Sequence, residues 1–316
     1  PAPMDKIVIE GEHRLKGKVK ISGAKNSALL LMAASLLTDQ KVILQNIPDL
    51  VDLRTMVKLL NGLGVKSNSI LKRVSLTAKK IKKHEATYDL VRTMRASILV
   101  LGPLLARVGK ARVSLPGGCA IGARPIDLHI KALEKMGAKI KLDQGYVDAS
   151  CHRLKGADIV FDCVTVTGTA NIMMAATLAK GKTTLTNAAR EPEVVDLANL
   201  LIKMGAKISG AGTAVIEIEG VSSLQGTTHK VIPDRIEAGT FMVAAAATNG
   251  NVIVEGVDAS HLDPFIQKLK QAGVGIEIMG DSIKVLGPKR ILPVDIKTAP
   301  YPCLLYTSDA ADDQAC

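Results

Sequence analysis

One motif of about 70 residues returns along this chain, and such a recurrence limits the possible folds before any single residue is considered. Four segments share one ending: Leu63-Gly64-Val65-Lys66, Met136-Gly137-Ala138-Lys139, Met204-Gly205-Ala206-Lys207 and Ala272-Gly273-Val274-Gly275. Their glycines lie 73, 68 and 68 residues apart. Before each ending runs an amphipathic stretch with an acid near its start (Asp52, Asp127, Asp196, Asp263) and apolar residues at helical spacing. The glycine then falls where a helix C-cap is expected, and a short strand-like run follows. The front half repeats too. A helix rich in small residues (27–37, 96–106, 172–179, 240–247) precedes a strand (42–44, 112–115, 183–186, 252–254). The unit therefore reads βαβαββ, too long for the common solenoids. The fold class expected is α/β (α+β): a globular array in which alanine-rich inner helices approach closely and sheets cover them. The fourth repeat closes near residue 290, and 291–302 reads as the opening strand of a fifth.

Composition narrows the partners. The chain is 47% apolar but holds only three Phe, four Tyr and no Trp, so its cores are built from Ala, Leu, Ile, Val and Met. No apolar run approaches the ~20 residues of a membrane span, and no stretch reads as a signal peptide. Five cysteines at irregular spacing do not make a disulfide framework. A cytoplasmic protein with free thiols and no membrane partner is expected. The net charge of +11 suits nucleic acid, acidic membranes or small anions. Its densest cluster, Lys79-Lys80-Ile81-Lys82-Lys83-His84, reads as a solvated loop. RNA would also call for aromatic stacking platforms, which this chain can barely offer, so no nucleic-acid partner is expected.

Three places carry chemistry by residue type. In Ser22-Gly23-Ala24-Lys25-Asn26-Ser27, Lys25 stands where a helix begins, a position unfavourable for a cation unless it and the free amides hold an anion. The alternative is an ordinary cap made by Ser22 or Asn26. In Leu115-Pro116-Gly117-Gly118-Cys119-Ala120-Ile121-Gly122-Ala123-Arg124-Pro125, a cysteine lies on a glycine-rich loop, where Arg124 would favour its thiolate. It reads as a functional thiol or as an incidental one; no partner Cys or His stands at zinc spacing. In Val91-Arg92-Thr93-Met94-Arg95-Ala96-Ser97, Arg95 opens an inner helix at the place matching Lys25. Its fork suits phosphate or carboxylate, and equally a surface ion pair. Cys151 and Cys163 read as buried structural thiols. Walker, dinucleotide and H-E-x-x-H patterns do not occur.

Together these motifs resemble the UDP-N-acetylglucosamine enolpyruvyl transferases. Gly23-Ala24-Lys25-Asn26 matches the opening motif of that family and 115–125 its cysteine loop. Thr93-Met94-Arg95-Ala96-Ser97, Asn187-Ala188-Ala189-Arg190-Glu191-Pro192-Glu193 and Pro233-Asp234-Arg235-Ile236-Glu237 match as well. The likeness covers 4–302; the related shikimate-pathway synthase shares the fold but lacks the cysteine loop. The resemblance implies two similar domains of three repeats each: 22–231 as domain one, and 4–21 with 232–302 as part of a discontinuous, incomplete domain two. It implies transfer of the enolpyruvyl group from phosphoenolpyruvate to the sugar 3′-hydroxyl of UDP-N-acetylglucosamine, with release of phosphate, as the first committed step of peptidoglycan synthesis. No metal and no organic cofactor is implied. Cys119 would be the general acid. Lys25, Asn26 and Arg124 would bind phosphoenolpyruvate. Arg95, Arg124, Pro125, Ile126, Asp127 and Leu128 would meet the UDP-sugar, and Val164, Thr165, Val166 and Thr167 would line the nucleotide site.

Two departures bear on activity. Some relatives in that family carry Lys where this chain has Cys163. The aspartate that the family places near the sugar hydroxyl, from a Pro-Thr-Asp motif, falls at Thr307 here. Residues 303–316 continue no pattern in the chain; they resemble a translated sequencing-library adapter and are read as a non-native tail, just as Pro1-Ala2-Pro3 reads as upstream of a natural start at Met4. The chain as written is therefore expected to be inactive. The competing readings are a nonenzymatic anion- or RNA-binding protein of the same repeats, and a redox thiol protein using Cys119.

Overall fold

The structure is a computed structural model, and it describes residues 8, 10–86, 88, 94–115, 126–296 and 299–302. The chain divides into two compact units, one spanning Gly23–Ile232 and the other joining the chain up to Ser22 to the segment from Pro233.

Each described repeat has the βαβαββ order. After β1 (Lys16–Lys20), the first repeat runs α1 (Lys25–Ala34), β2 (Lys41–Gln45), α2 (Val51–Leu63), β3 (Lys66–Ile70) and β4 (Arg73–Thr77). The second holds β5 (Glu85–Ala86), a 3-10 helix (Arg95–Val100) running into α3 (Leu101–Val108), β6 (Lys110–Ser114), α4 (Asp127–Lys135), β7 (Lys139–Asp143) and β8 (Tyr146–Ser150). The third holds β9 (Asp158–Val160), α5 (Val166–Ala176), β10 (Lys182–Thr186), α6 (Pro192–Lys203), β11 (Lys207–Ser209) and β12 (Val215–Glu219), followed by β13 (Thr228–Lys230). The other unit continues with α7 (Arg235–Ala247), β14 (Asn251–Glu255), α8 (Asp263–Gln271), β15 (Gly275–Met279) and β16 (Ser282–Leu286).

The strands form four four-stranded sheets of one pattern: β13-β2-β4-β3, β5-β6-β8-β7, β9-β10-β12-β11 and β1-β14-β16-β15. In each, the opening strand runs parallel to the next, and the remaining pairs are antiparallel. Alternation sets the inner faces: Val42 and Leu44 of β2 and Val252 and Val254 of β14 are buried, with their neighbours turned outward.

The inner helices of the first unit are enclosed, as their small residues predict. Every residue of α1 from Ser27 to Ala34 is buried, and α5 is buried from Gly168 to its end. In the other unit α7 buries Ala238, Met242, Ala245 and Ala246, whereas Phe241 and Val243 are exposed. The outer helices bury one stripe, as α2 does with Leu53, Met56, Leu59, Leu60 and Leu63. All four repeat glycines follow outer helices at positive φ: Gly64 at 104°, Gly137 at 91°, Gly205 at 100° and Gly273 at 86°. The next residue of each closes back on the helix: Val65 N–H to Leu60 O, Ala138 to Leu133, Ala206 to Leu201 and Val274 to Leu269. These are Schellman caps, which favour a residue without Cβ.

The strand that precedes α1 in the chain, β1, pairs with β14, while β13, some 185 residues downstream of β2, pairs with β2. Three expectations need adjusting. Asp196 lies a full turn inside α6, which starts earlier because Pro192 occupies its first turn. Residues 291–296 form no strand, since among the described residues no neighbouring strand lies beside them to complete a ladder. Cys163 is half-buried and disulfide-bonded, not a free buried thiol, whereas Cys151 remains free. The 79–84 segment is an irregular, mostly exposed loop, as its charge run predicts. None of the helices described is long and apolar enough to cross a membrane.

Candidate active site

The turn into α1 explains why its glycine is required. A Cβ on Gly23 would collide with the backbone carbonyl of Asn46, at the turn after β2. Ala24 then caps α1 with no side chain to offer, and no acid stands in the first turn. Among the described residues, neither Ser22 nor Asn26 supplies the ordinary cap. Lys25 Nζ pairs with Asp52 Oδ2 at 3.2 Å, the acid that opens α2, and both groups are partly exposed. Asn26 beside it is half-buried.

Below this turn is a buried cluster that the motif reading did not identify. Ser27 Oγ donates to Asp196 Oδ2 at 2.5 Å, His229 Nε2 meets Asp196 Oδ1 at 2.7 Å, and Ile232 N–H reaches Oδ2 at 3.3 Å. Lys203 Nζ lies 3.3 Å from the other ring nitrogen of His229; a lysine donates, so Nδ1 accepts and Nε2 carries the hydrogen. Asp196 thus ties the first turn of α1 to β13 and α6. The signal was present in the sequence: a serine at the start of an apolar helix must find a partner once buried.

The UDP-sugar candidates gather at three helix starts. Arg95 is the first residue of the 3-10 helix Arg95–Val100, against which α1 and α5 pack. Ile126 is the N-cap of α4, and Asp127 and Leu128 are its first residues. Asp127 Oδ2 pairs with Lys131 at 3.2 Å, while its Oδ1 is buried with no hydrogen-bond partner among the described residues. Thr165 caps α5 by accepting from Gly168 N–H at 3.1 Å, and Val164, Val166 and Thr167 around it are half-buried. The fold brings the α4 and α5 starts together: His129 Nε2 lies 3.3 Å from Thr167 Oγ1. Beside them is a cleft of about 300 Å³ lined by Leu128, Lys131, Lys135, Ile159, Phe161 and Asp162. Cys119, Arg124 and Pro125 lie outside the described residues, as does Thr307. Among the described residues no group of three or more His, Cys, Asp or Glu could hold a metal ion.

His129 and Asn171 complete this region. His129 is 3% exposed and Asn171 is fully buried. Burial pushes the His129 ring far below its ordinary value, to about 4, against the Asp127 carboxylate, which raises it. An asparagine in the buried stretch of α5 was a legible sign of a buried polar contact; its partner on another repeat was not.

Comparison with known proteins places this arrangement. The family model for EPSP synthase (3-phosphoshikimate 1-carboxyvinyltransferase) matches residues 9–311. A UDP-N-acetylglucosamine 1-carboxyvinyltransferase of Desulforapulum autotrophicum is 58% identical over 299 residues, covering 95% of this chain and 72% of that protein. One of Thermodesulfovibrio yellowstonii is 56% identical over 302 residues, with the same coverage of each. Among solved structures, the enolpyruvyl transferase NikO from Streptomyces tendae superposes with a TM-score of 0.78 at 23% identity, over 89% of this chain and 68% of that one. EPSP synthase from Acinetobacter baumannii gives 0.66 at 20% identity, over 87% and 65%; these two likenesses speak for the fold. With the family model spanning nearly the whole chain and relatives more than half identical across it, the chain belongs to the enolpyruvyl (carboxyvinyl) transferase family.

Proposed function

We propose that this chain carries the transfer of an enolpyruvyl group from phosphoenolpyruvate to the 3′-hydroxyl of UDP-N-acetylglucosamine, with release of phosphate. The observation that carries this reading is the 54–58% identity, over 95% of the chain, to proteins named for that activity. In this reading the Gly23–Ile232 unit is the first domain and the remainder is part of a second. The sugar hydroxyl adds to C2 of phosphoenolpyruvate while C3 takes a proton, giving a tetrahedral ketal; loss of phosphate and of one C3 proton then leaves the enol ether. Cys119 is the acid at C3. Lys25 and Arg124 neutralise phosphate and carboxylate, with most effect where water is excluded, and Asn26 adds a hydrogen bond. The start of α1, with no acid in its first turn and Lys25 as its first residue, supports an anion there.

Arg95 and 124–128 meet the UDP-sugar, and 164–167 line the nucleotide. The unpartnered, buried Asp127 Oδ1 supports a ligand donor at that point. Calorimetric titration with UDP-N-acetylglucosamine tests the reading: one saturable site is expected, and no binding would overturn it. Phosphate release from phosphoenolpyruvate, with and without the sugar, reports the chemistry. Sugar-dependent release that is lost in Cys119→Ala assigns the acid. Binding without release is the outcome expected with Thr307 at the place of the family's aspartate.

A further inference from the structure

We infer that the buried pair His129–Asn171 is a positioning device for the sugar-nucleotide site: it holds three helix starts in fixed relation and sets the direction in which the Thr167 hydroxyl donates. This rests on reading those helix starts as the UDP-N-acetylglucosamine site.

The hydrogen bonds leave little freedom. Asn171 Oδ1 accepts from Gly102 N–H at 2.7 Å, which fixes the amide orientation. Its nitrogen then has two hydrogens for two neighbours, Ile98 O at 3.0 Å and His129 Nδ1 at 3.0 Å. Nδ1 must therefore accept, so the neutral ring carries its hydrogen on Nε2 and donates it to Thr167 Oγ1. With a lone pair of that hydroxyl taken, its own hydrogen remains to donate, and no described residue accepts it. Thr167 is half-buried, in the first turn of α5 beside Thr165 and Val166, so the hydrogen is available to an acceptor oxygen on a bound ligand.

Each bond also ends on an element that bears a candidate residue. Ile98 belongs to the 3-10 helix that Arg95 opens, and Gly102 to α3, which continues it. His129 lies two residues after Asp127 on α4, and Thr167 is the second residue of α5. A Cβ on Gly102 would overlap both the backbone and the side-chain oxygen of Asn171, so the close approach that allows the first bond requires glycine. Fully buried polar side chains are costly unless every bond is made, and apolar residues of similar shape would hold helices together as well. What apolar packing cannot supply is a donor aimed at Thr167.

The chain and four variants test this, with the dissociation constant for UDP-N-acetylglucosamine from calorimetry and the thermal midpoint without ligand. His129→Leu fills the space but neither accepts from Asn171 nor donates to Thr167, and is expected to weaken binding about tenfold. His129→Gln keeps an amide N–H for Thr167 and is expected to stay within about threefold of the parent. Thr167→Val should lose about as much as His129→Leu, while Thr167→Ser, which keeps the hydroxyl, should not. A merely structural role would lower the midpoint of the histidine variants without this pattern of rescue. Unchanged affinity in a folded His129→Leu would overturn the inference. If that variant does not fold, equal affinities for Thr167→Val and Thr167→Ser would overturn it instead. Failure of the parent chain to bind would remove the reading of the site itself, and the inference with it.

Discussion

Two buried polar clusters, around His129 and around Asp196, show how much single side chains carry in a core made of aliphatic residues. His129 has a pH signature. Its folded value of about 4 lies below the ordinary 6.5, so between those values the unfolded chain binds a proton that the folded chain refuses. The stability linked to this ring is fully present above pH 6.5, falls as the pH drops, and stops falling near pH 4. The span corresponds to about 3 kcal/mol. The thermal midpoint should therefore drop more steeply over that window in the parent chain than in His129→Gln; parallel profiles would contradict it. Asp196→Ala would strand the Ser27 hydroxyl, the His229 ring N–H and the Ile232 amide at once. A loss of about 3 kcal/mol or more is expected in urea unfolding. That these residues are polar and lie in apolar stretches was legible. Their partners were not, because Ser27 and Asp196 are 169 positions apart and sequence spacing says nothing of such pairs.

At the scale of elements, caps and close approaches divide the glycines into two kinds. Gly137 needs its positive φ but has open space around the missing Cβ, so Gly137→Ala should cost about 1 kcal/mol, the price of a left-handed alanine. Gly102 has ordinary backbone angles, and there the Cβ would enter Asn171. Gly102→Ala should cost about 1–3 kcal/mol by overpacking and should also weaken UDP-N-acetylglucosamine binding, which Gly137→Ala should not. Unfolding curves and one titration for each variant separate the two. Asp234 illustrates a third device: its carboxylate caps α7 through Ile236 N–H at 2.9 Å and Glu237 N–H at 3.0 Å, and Asp234→Ala is expected to cost about 1 kcal/mol. The cap glycines could be read from four similar endings, each an apolar residue, Gly and a small apolar residue, since a Schellman cap is a local structure. The role of Gly102 could not, because nothing beside it in the chain announces the helix it touches.

At the scale of the whole molecule, the repeats are closed by strands borrowed across the sequence. β13 completes the first sheet of the Gly23–Ile232 unit, and β1 completes the sheet of the other. A fragment covering 23–232 should therefore fold with a cooperative melt, since it contains one continuous core and all of its strands. A fragment ending at Gly226 lacks β13 and leaves β2 with an open edge, so it should melt lower and aggregate; equal melts would show that β13 adds nothing. The sequence by itself determined the repeat, the helix caps, the inner and outer faces of each element and the residue types suited to anions, because each of these depends on neighbours within a few positions. Only the tertiary structure decided that β13 turns back to β2, that Asp196 anchors the start of α1, and that His129 and Asn171 join three helix starts. Those bonds link residues from tens to nearly two hundred positions apart, and chain folding alone brings them within hydrogen-bond reach.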